Sequence, residues 1–168
     1  MQKFALSAVV LAGALTLLTG QTAGAAVREH PKADTARAVP MSAASEEVDI
    51  ATAGTPDWSS SWECSTIATA QGCFVTNGDH LWVKDTKADG LAADVYWENY
   101  LWNGSSWVFW RNGRCENHLG SGHWGGCNKD FYEDGTSPNA VGGEGSEVCV
   151  WAEVTGDVGP GYCMLNNM

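Results

Sequence analysis

The sequence predicts an all-β fold, a compact, disulfide-stapled antiparallel β-sandwich or small barrel. Three observations carry that prediction. Between Asp57 and Met168 no stretch keeps a long helical period; short runs rich in Val, Trp, Tyr and Phe alternate with Gly, Asn, Asp and Pro. All six cysteines fall in the same part of the chain, and an even count suits a disulfide framework. Turn signals such as Asn77-Gly78-Asp79 and Asn103-Gly104 recur at the near-regular spacing of a sandwich.

Taken in order, the chain opens with Lys3, a short apolar run from Phe4 to Leu18, and small residues at Ala23-Gly24-Ala25. That is the pattern of a cleaved signal peptide over residues 1–25, with the cut after Ala25. The run is too short and Ala-rich for a stable membrane span, so the expected location is secreted and extracellular, with no membrane insertion after cleavage. Residues 26–56 contain no Phe, Trp or Tyr and are rich in Ala, Ser, Thr, Glu and Pro. Such a segment buries too little apolar surface to offset its ordering entropy. It is expected to be a disordered leader or linker, and a cleaved pro-segment or a plain spacer would both fit.

Composition changes abruptly at Asp57-Trp58, and the β-sandwich domain is assigned to residues 57–168. The run from Trp62 to Thr76 reads as a strand, a turn closed by Cys64 and Cys73, and a second strand. His80–Lys84 is a strand and Asp85–Gly90 its loop. Leu91–Trp102 is a long strand that turns at Asn103-Gly104 into Trp107–Asn112. Leu119–Gly126 reads as a glycine-rich loop and Lys129–Glu133 as a short strand. Glycine and proline punctuate Asp134–Gly145, and Glu147–Val154 pairs with Gly161–Leu165 in a last hairpin. Six cysteines allow fifteen pairings. The sequential one, Cys64–Cys73, Cys115–Cys127 and Cys149–Cys163, encloses the shortest loops and closes at least entropic cost. Each bridge would stabilise the fold by roughly 2–3 kcal/mol.

The formal net charge is −11. After Trp58 the cationic residues are Lys84, Lys87, Arg111, Arg114 and Lys129. A polyanion would be repelled, which excludes nucleic acid and anionic membrane surfaces as natural partners.

The hairpin Leu91–Asn112 sorts its side chains onto two faces. Val95, Trp97, Leu101, Val108 and Trp110, with Asn99 and Asn112, are assigned to the core. Tyr96, Glu98, Tyr100, Trp102, Trp107, Phe109 and Arg111 form the other face and are the ligand-binding candidates. A turn of two residues sets Tyr100 against Trp107; one of four sets Trp102 against Trp107 and Glu98 against Arg111. Flat rings grip sugars or apolar side chains, and flanking polar groups hold the rim. The alternative is that another part of the chain covers this face and its rings are ordinary core.

Other motifs are weaker. Cys115, His118, His123 and Cys127 have the spacing of a zinc knuckle, but in an oxidising compartment a Cys115–Cys127 bridge is the better reading, and no metal or cofactor is expected. Asp85–Gly90 looks like a calcium loop until Lys87 occupies a ligand position and Tyr96 stands in place of the bidentate Glu; a hairpin loop with Gly90 at positive φ fits better. Asp94 and Glu98 on one strand stand roughly 13 Å apart, too far for a glycosidase pair. Ser121 lacks a nucleophile elbow. Asn103-Gly104-Ser105 fits a glycosylation acceptor, yet a turn alone explains it. No catalytic constellation emerges.

At VKDTKADG (Val83–Gly90) and C-x-N-x-x-G-x-G-x-W-x-x-C-N (Cys115–Asn128) the chain resembles a group of small secreted actinobacterial β-sandwich proteins. The resemblance covers about half of the expected mature chain. It implies a compact sandwich, a disulfide across the glycine loop, and no assigned activity. The aromatics between Tyr96 and Trp110 and the Cys64–Cys73 loop depart from that group's pattern. The function these readings favour is a secreted, non-enzymatic binding domain for an unknown extracellular protein or polysaccharide, acting through the face around Trp102 and Trp107. A small carbohydrate-binding module is the alternative, and an extracellular hydrolase the third.

Overall fold

In a computed structural model, residues 45–167 are described. The expected signal peptide and the first part of the expected leader lie outside them. The described residues form eleven strands: β1 (Glu47–Ile50), β2 (Thr52–Ala53), β3 (Trp62–Thr66), β4 (Ala70–Val75), β5 (His80–Asp85), β6 (Ala93–Trp102), β7 (Trp107–Asn117), β8 (Trp124–Asn128), β9 (Ser146–Val154), β10 (Asp157–Val158) and β11 (Tyr162–Leu165). One sheet runs β1-β7-β6-β9, with β10 and β11 both pairing the far side of β9; the other runs β2-β8-β5-β4-β3. Both sheets are open, so the architecture is a sandwich and not a barrel.

The core lies between the sheets. Strict alternation puts Val148, Val150, Ala152 and Val154 of β9 beside Val95 and Trp97 of β6. Phe74, Leu81 and Val83 of the second sheet meet them there, with Phe131 from a loop. The sequential pairing of the cysteines holds: Cys64–Cys73, Cys115–Cys127 and Cys149–Cys163. The first and third join neighbours within one sheet. Cys115–Cys127 instead ties β7 to β8 across the core.

Three expectations need correction. The boundary at Asp57 falls too late, because Glu47–Ile50 pairs in parallel with Gly113–Glu116 and Thr52-Ala53 pairs with β8. This segment crosses from one sheet to the other at the buried Ala51. Its pattern is inverted, which hid it. Val48 and Ile50 face solvent, whereas Glu47 and Asp49 turn inward to the ammonium of Lys129, and Glu47 also reaches Arg111. Lys129 lies 4.9 Å from the Trp97 ring centroid. Gly113 makes room for β1, since a Cβ there would lie 2.4 Å from the Glu47 carbonyl oxygen. Second, the glycine-rich stretch before Asn128 contains a strand, β8, whose glycines let Ala51 and the Trp82 ring pack against it. Third, 129–133 is a loop and not a strand.

Candidate functional site

The hairpin turn is the four-residue form, with Trp102 opposite Trp107. Pairing continues through Tyr100 and Phe109, then skips a residue, so that Asn99 lies opposite Arg111 and Glu98 opposite Asn112. Trp110 is the extra residue of a β-bulge. One unpaired residue reverses the in–out order of everything beyond it. Arg111, expected on the outer aromatic face, therefore joins Asn99 and Trp97, and its guanidinium carbon lies 5.6 Å from the Trp97 ring centroid. Asn112, expected in the core, joins the outer face and donates from Nδ2 to the Tyr96 hydroxyl at 3.0 Å. Trp110, also expected in the core, is 44% exposed.

The other six predicted ligand residues stay together on the outer face of the first sheet. The Trp102 and Trp107 rings meet edge to face at 5.4 Å, and Tyr100 and Phe109 at 5.8 Å. Tyr96 and Glu98, however, are fully buried. The Tyr96 hydroxyl donates to Glu98 Oε1 at 3.0 Å and the Tyr100 hydroxyl to Oε2 at 2.5 Å. Burial and the neighbouring carboxylate raise the Tyr100 pKa well above the usual phenol value, so it stays a donor. This cluster is internal structure and presents no open surface at Tyr96 or Glu98.

The bulge borders a cavity of about 480 Å³ at one end of the sandwich. Asn99 and Arg111 line it from the strands, Trp110 from the bulge itself, and Asp130, Phe131, Tyr132, Glu133 and Thr136 from the loop between β8 and β9. That loop is held by Asp79, a turn residue at φ +54°. The Asp79 carboxylate accepts from the Phe131 backbone N–H at 2.7 Å and from Asn166 Nδ2 at 2.8 Å. The Phe131 ring then wedges against Trp97 and Phe74 at 5.3 and 5.7 Å. Arg111 donates to the Asp130 carbonyl and to Glu47 Oε1, and its guanidinium carbon lies 4.9 Å from the Phe131 ring centroid.

The polar groups of this cavity are unevenly satisfied. Asn99 Nδ2 donates to the Glu147 carbonyl at 3.1 Å, but Asn99 Oδ1 is buried with no hydrogen-bond partner. Glu133 Oε2 is buried without a partner as well. Burial first, then the charges of Asp79 and Asp130, raise the pKa of Glu133 above the ordinary carboxylate value. Neither atom has accessible surface, so both lie behind the cavity wall and not on it. The loop wall of the cavity carries the carboxylates of Asp130 and Glu133 and the hydroxyls of Tyr132 and Thr136, beside the Arg111 guanidinium.

A second aromatic cluster lies on the outer face of the second sheet, where no site was expected. Trp58 packs edge to face on Trp62 at 5.2 Å and on Trp124 at 5.7 Å, above Trp82 and the Cys64–Cys73 bridge. Trp58 and Trp62 are 41% and 49% exposed. A shallow hollow of about 260 Å³ lies beside them, with Asp57, Asn77, His80 and Trp82 in its wall. The signal for it was the alternation of Trp82 with Leu81 and Val83, which commits Trp82 to the face opposite the core.

The weaker motifs resolve simply. Cys115 and Cys127 are bonded to each other, so neither sulfur is a thiolate for zinc, and His118 pairs with Glu116 at 3.0 Å. Asp85 and Asp89 accept from the backbone N–H groups of Lys87 and Leu91, making the expected hairpin loop, with Gly90 at φ +80°. Asn103 Oδ1 accepts from the N–H groups of Ser105 and Ser106, which is the work of a turn. Among the described residues the one cluster of metal-ligand type is Glu147, Cys149 and Cys163, and its sulfurs form a disulfide.

The chain was compared with known families, curated proteins and solved structures. None matches it.

Proposed function

We propose that this protein is a secreted, non-enzymatic binding domain whose ligand enters the cavity beneath Trp110. The observation that carries the reading is the bulge, which turns a large indole outward at the mouth of a hollow lined by the Arg111 guanidinium, Asp130 and Glu133. Bulges recur where a side chain has to be re-aimed, and recessed sites with a few convergent polar groups are the usual form of ligand pockets. Three disulfides, no helix among the described residues long and apolar enough to cross a membrane, and the signal-like N-terminus support a place outside the cell. The partner is an extracellular protein or polysaccharide, and the acidic charge argues against a polyanion.

A second reading, docking of a protein through Trp58 and Trp62, rests on the exposure of those two rings. Backbone amide NMR with a mixed panel of monosaccharides, amino acids and short peptides separates the two. Shifts that converge on Asn99, Trp110, Arg111 and Glu133 are the expected result. Shifts confined to Trp58, Trp62 and Trp124, or no shifts at all, refute the cavity.

A further inference from the structure

We propose that residues 26–44 form a third layer over the outer face of the first sheet and set their cations against the carboxylates of Glu98 and Glu147. The inference is independent of the cavity beneath Trp110. It begins with β9, which is buried at all nine positions. Val148, Val150, Ala152 and Val154 face the core, so Glu147, Cys149, Trp151 and Glu153 point the other way. On that outer side, none of Tyr96, Glu98, Glu147, Cys149 and Trp151 is more than 3% exposed. A strand buried on both faces has a layer on each side. All eleven strands of the described residues belong to the two sheets, and the second sheet covers the inner face. Arg114 lies over the Tyr96 ring, and Gly161 lies against Trp151. Both contacts fall in one cross-strand row; the rows of Glu98 with Cys149 and of Tyr100 with Glu147 lie beyond it.

Position and charge name the occupant. β1 runs parallel to β7 with Glu47 opposite Gly113, so the chain before it heads toward Asn112, which lies opposite Glu98. Glu46 already pairs with Arg114 on this face. Three strand spacings, roughly 14 Å, separate β1 from β9. Arg37 stands eight residues before Ser45, and a chain of that length spans about 26 Å when extended. The segment therefore reaches both carboxylates with length to spare. Carboxylates taken out of water need donors and compensating charge. Both are partnered, and the Tyr96 and Tyr100 hydroxyls donate to Glu98. The cations after Trp58 are committed elsewhere. Arg111 pairs with Glu47, Lys129 with Glu47 and Asp49, and Lys87 with Asp89. Arg114 serves Glu46, Asp94 and Glu153, and Lys84 lies over Trp124 on the other sheet. Beyond Lys3, the chain's other cations are Arg28, Lys32 and Arg37, set against Glu29 and Asp34 in the same segment. In a chain of net charge −11, this is a stretch with an excess of cations, and it adjoins a face rich in carboxylates. Val39, Pro40 and Met41 add apolar surface for the Tyr96 and Trp151 rings to pack against.

The test takes the full chain, its starting residue fixed by intact mass, and records NOEs and amide hydrogen exchange by NMR. The proposal expects NOEs from residues 26–44 to the rings of Tyr96, Tyr100 or Trp151. It also expects amides in that segment to exchange about tenfold or more slowly than in an unstructured chain. Replacing Arg28, Lys32 and Arg37 together by Gln should remove that protection, with the Val148 and Val150 methyl shifts unchanged as proof of an intact core. Lys87→Gln, which alters a pair in an exposed loop, should leave the protection as it was. Free-chain exchange rates and no NOEs from 26–44 in the unaltered protein would overturn the proposal, as would NOEs to a different surface. Full protection in the triple variant would overturn the pairing with Glu98 and Glu147. A chain that begins after residue 44 and still shields Tyr96 and Trp151 from solvent would overturn the third layer itself.

Discussion

Asp94 offers the sharpest test of the electrostatics of the first sheet. Its carboxylate stands on β6 beside Glu116 and Glu153, with Arg114 at 3.6 Å. Burial, then repulsion from Glu116, outweighs the pull of Arg114 and lifts the Asp94 pKa from 3.8 to about 6. The folded protein therefore holds this proton more tightly than the unfolded chain does. The contribution to stability is fully present below about pH 4 and is lost as pH rises through about 6. A rise of roughly two units corresponds to about 3 kcal/mol at most. The side chain is 21% exposed, and solvent screening reduces the expected effect to about 1–2 kcal/mol. Asp94→Asn removes the titration and leaves Arg114 paired with Glu153 and Glu46. Urea unfolding at pH 4 and pH 7.5 should show the variant gaining about 1–2 kcal/mol on the wild type between the two conditions. Comparing the two proteins cancels the other carboxylates, including Asp79 and Glu133, whose raised values act in the same direction. Parallel pH dependence in both proteins, or a variant that loses ground at pH 7.5, would refute the account and show that the charged Asp94–Arg114 pair dominates.

Asp79→Ala should cost about 2–4 kcal/mol, because the Phe131 N–H and the Asn166 amide lose a buried acceptor together; a loss under 1 kcal/mol in chemical denaturation contradicts the anchoring role. In Gly113→Ala the new methyl collides with the Glu47 carbonyl and the Trp97 ring. Destabilisation by about 1–3 kcal/mol is expected, with faster hydrogen exchange in 47–50; unchanged exchange there would mean that β1 does not pack as described. Replacing Cys115 and Cys127 together by Ser should lower stability by about 3 kcal/mol. Both positions are buried between the sheets, so equal or smaller loss than for the Cys64–Cys73 pair would argue against the cross-sheet staple being the stronger one.

Much of the fold was legible, and the reasons are local. Val148, Val150 and Ala152 alternate with Cys149 and Trp151, which declares a two-sided strand. Short loops between cysteines predicted all three bridges. Asn103 signalled the tight hairpin by its capacity to cap two backbone N–H groups. What stayed hidden breaks a pattern rule for a long-range reason. β1 shows its apolar residues to solvent because Lys129, eighty-two residues away from Glu47, and Arg111 await its carboxylates. No window of sequence contains that pairing. The bulge at Trp110 is likewise invisible in composition, since any residue can be the unpaired one. It moved Arg111 and Asn112 to opposite faces from those expected, and with them the candidate site. On the predicted face, Tyr96 and Glu98 satisfy one another in the interior.

The central claim is that the bulge exists to present Trp110 over a recess that takes a ligand. A crystal of the protein soaked with the tightest-binding compound of the NMR panel tests this most directly. The account predicts ligand density against the Trp110 indole, between the Arg111 side chain and the loop from Asp130 to Thr136. Density lying across Trp58 and Trp62, with the Trp110 recess empty, would contradict it.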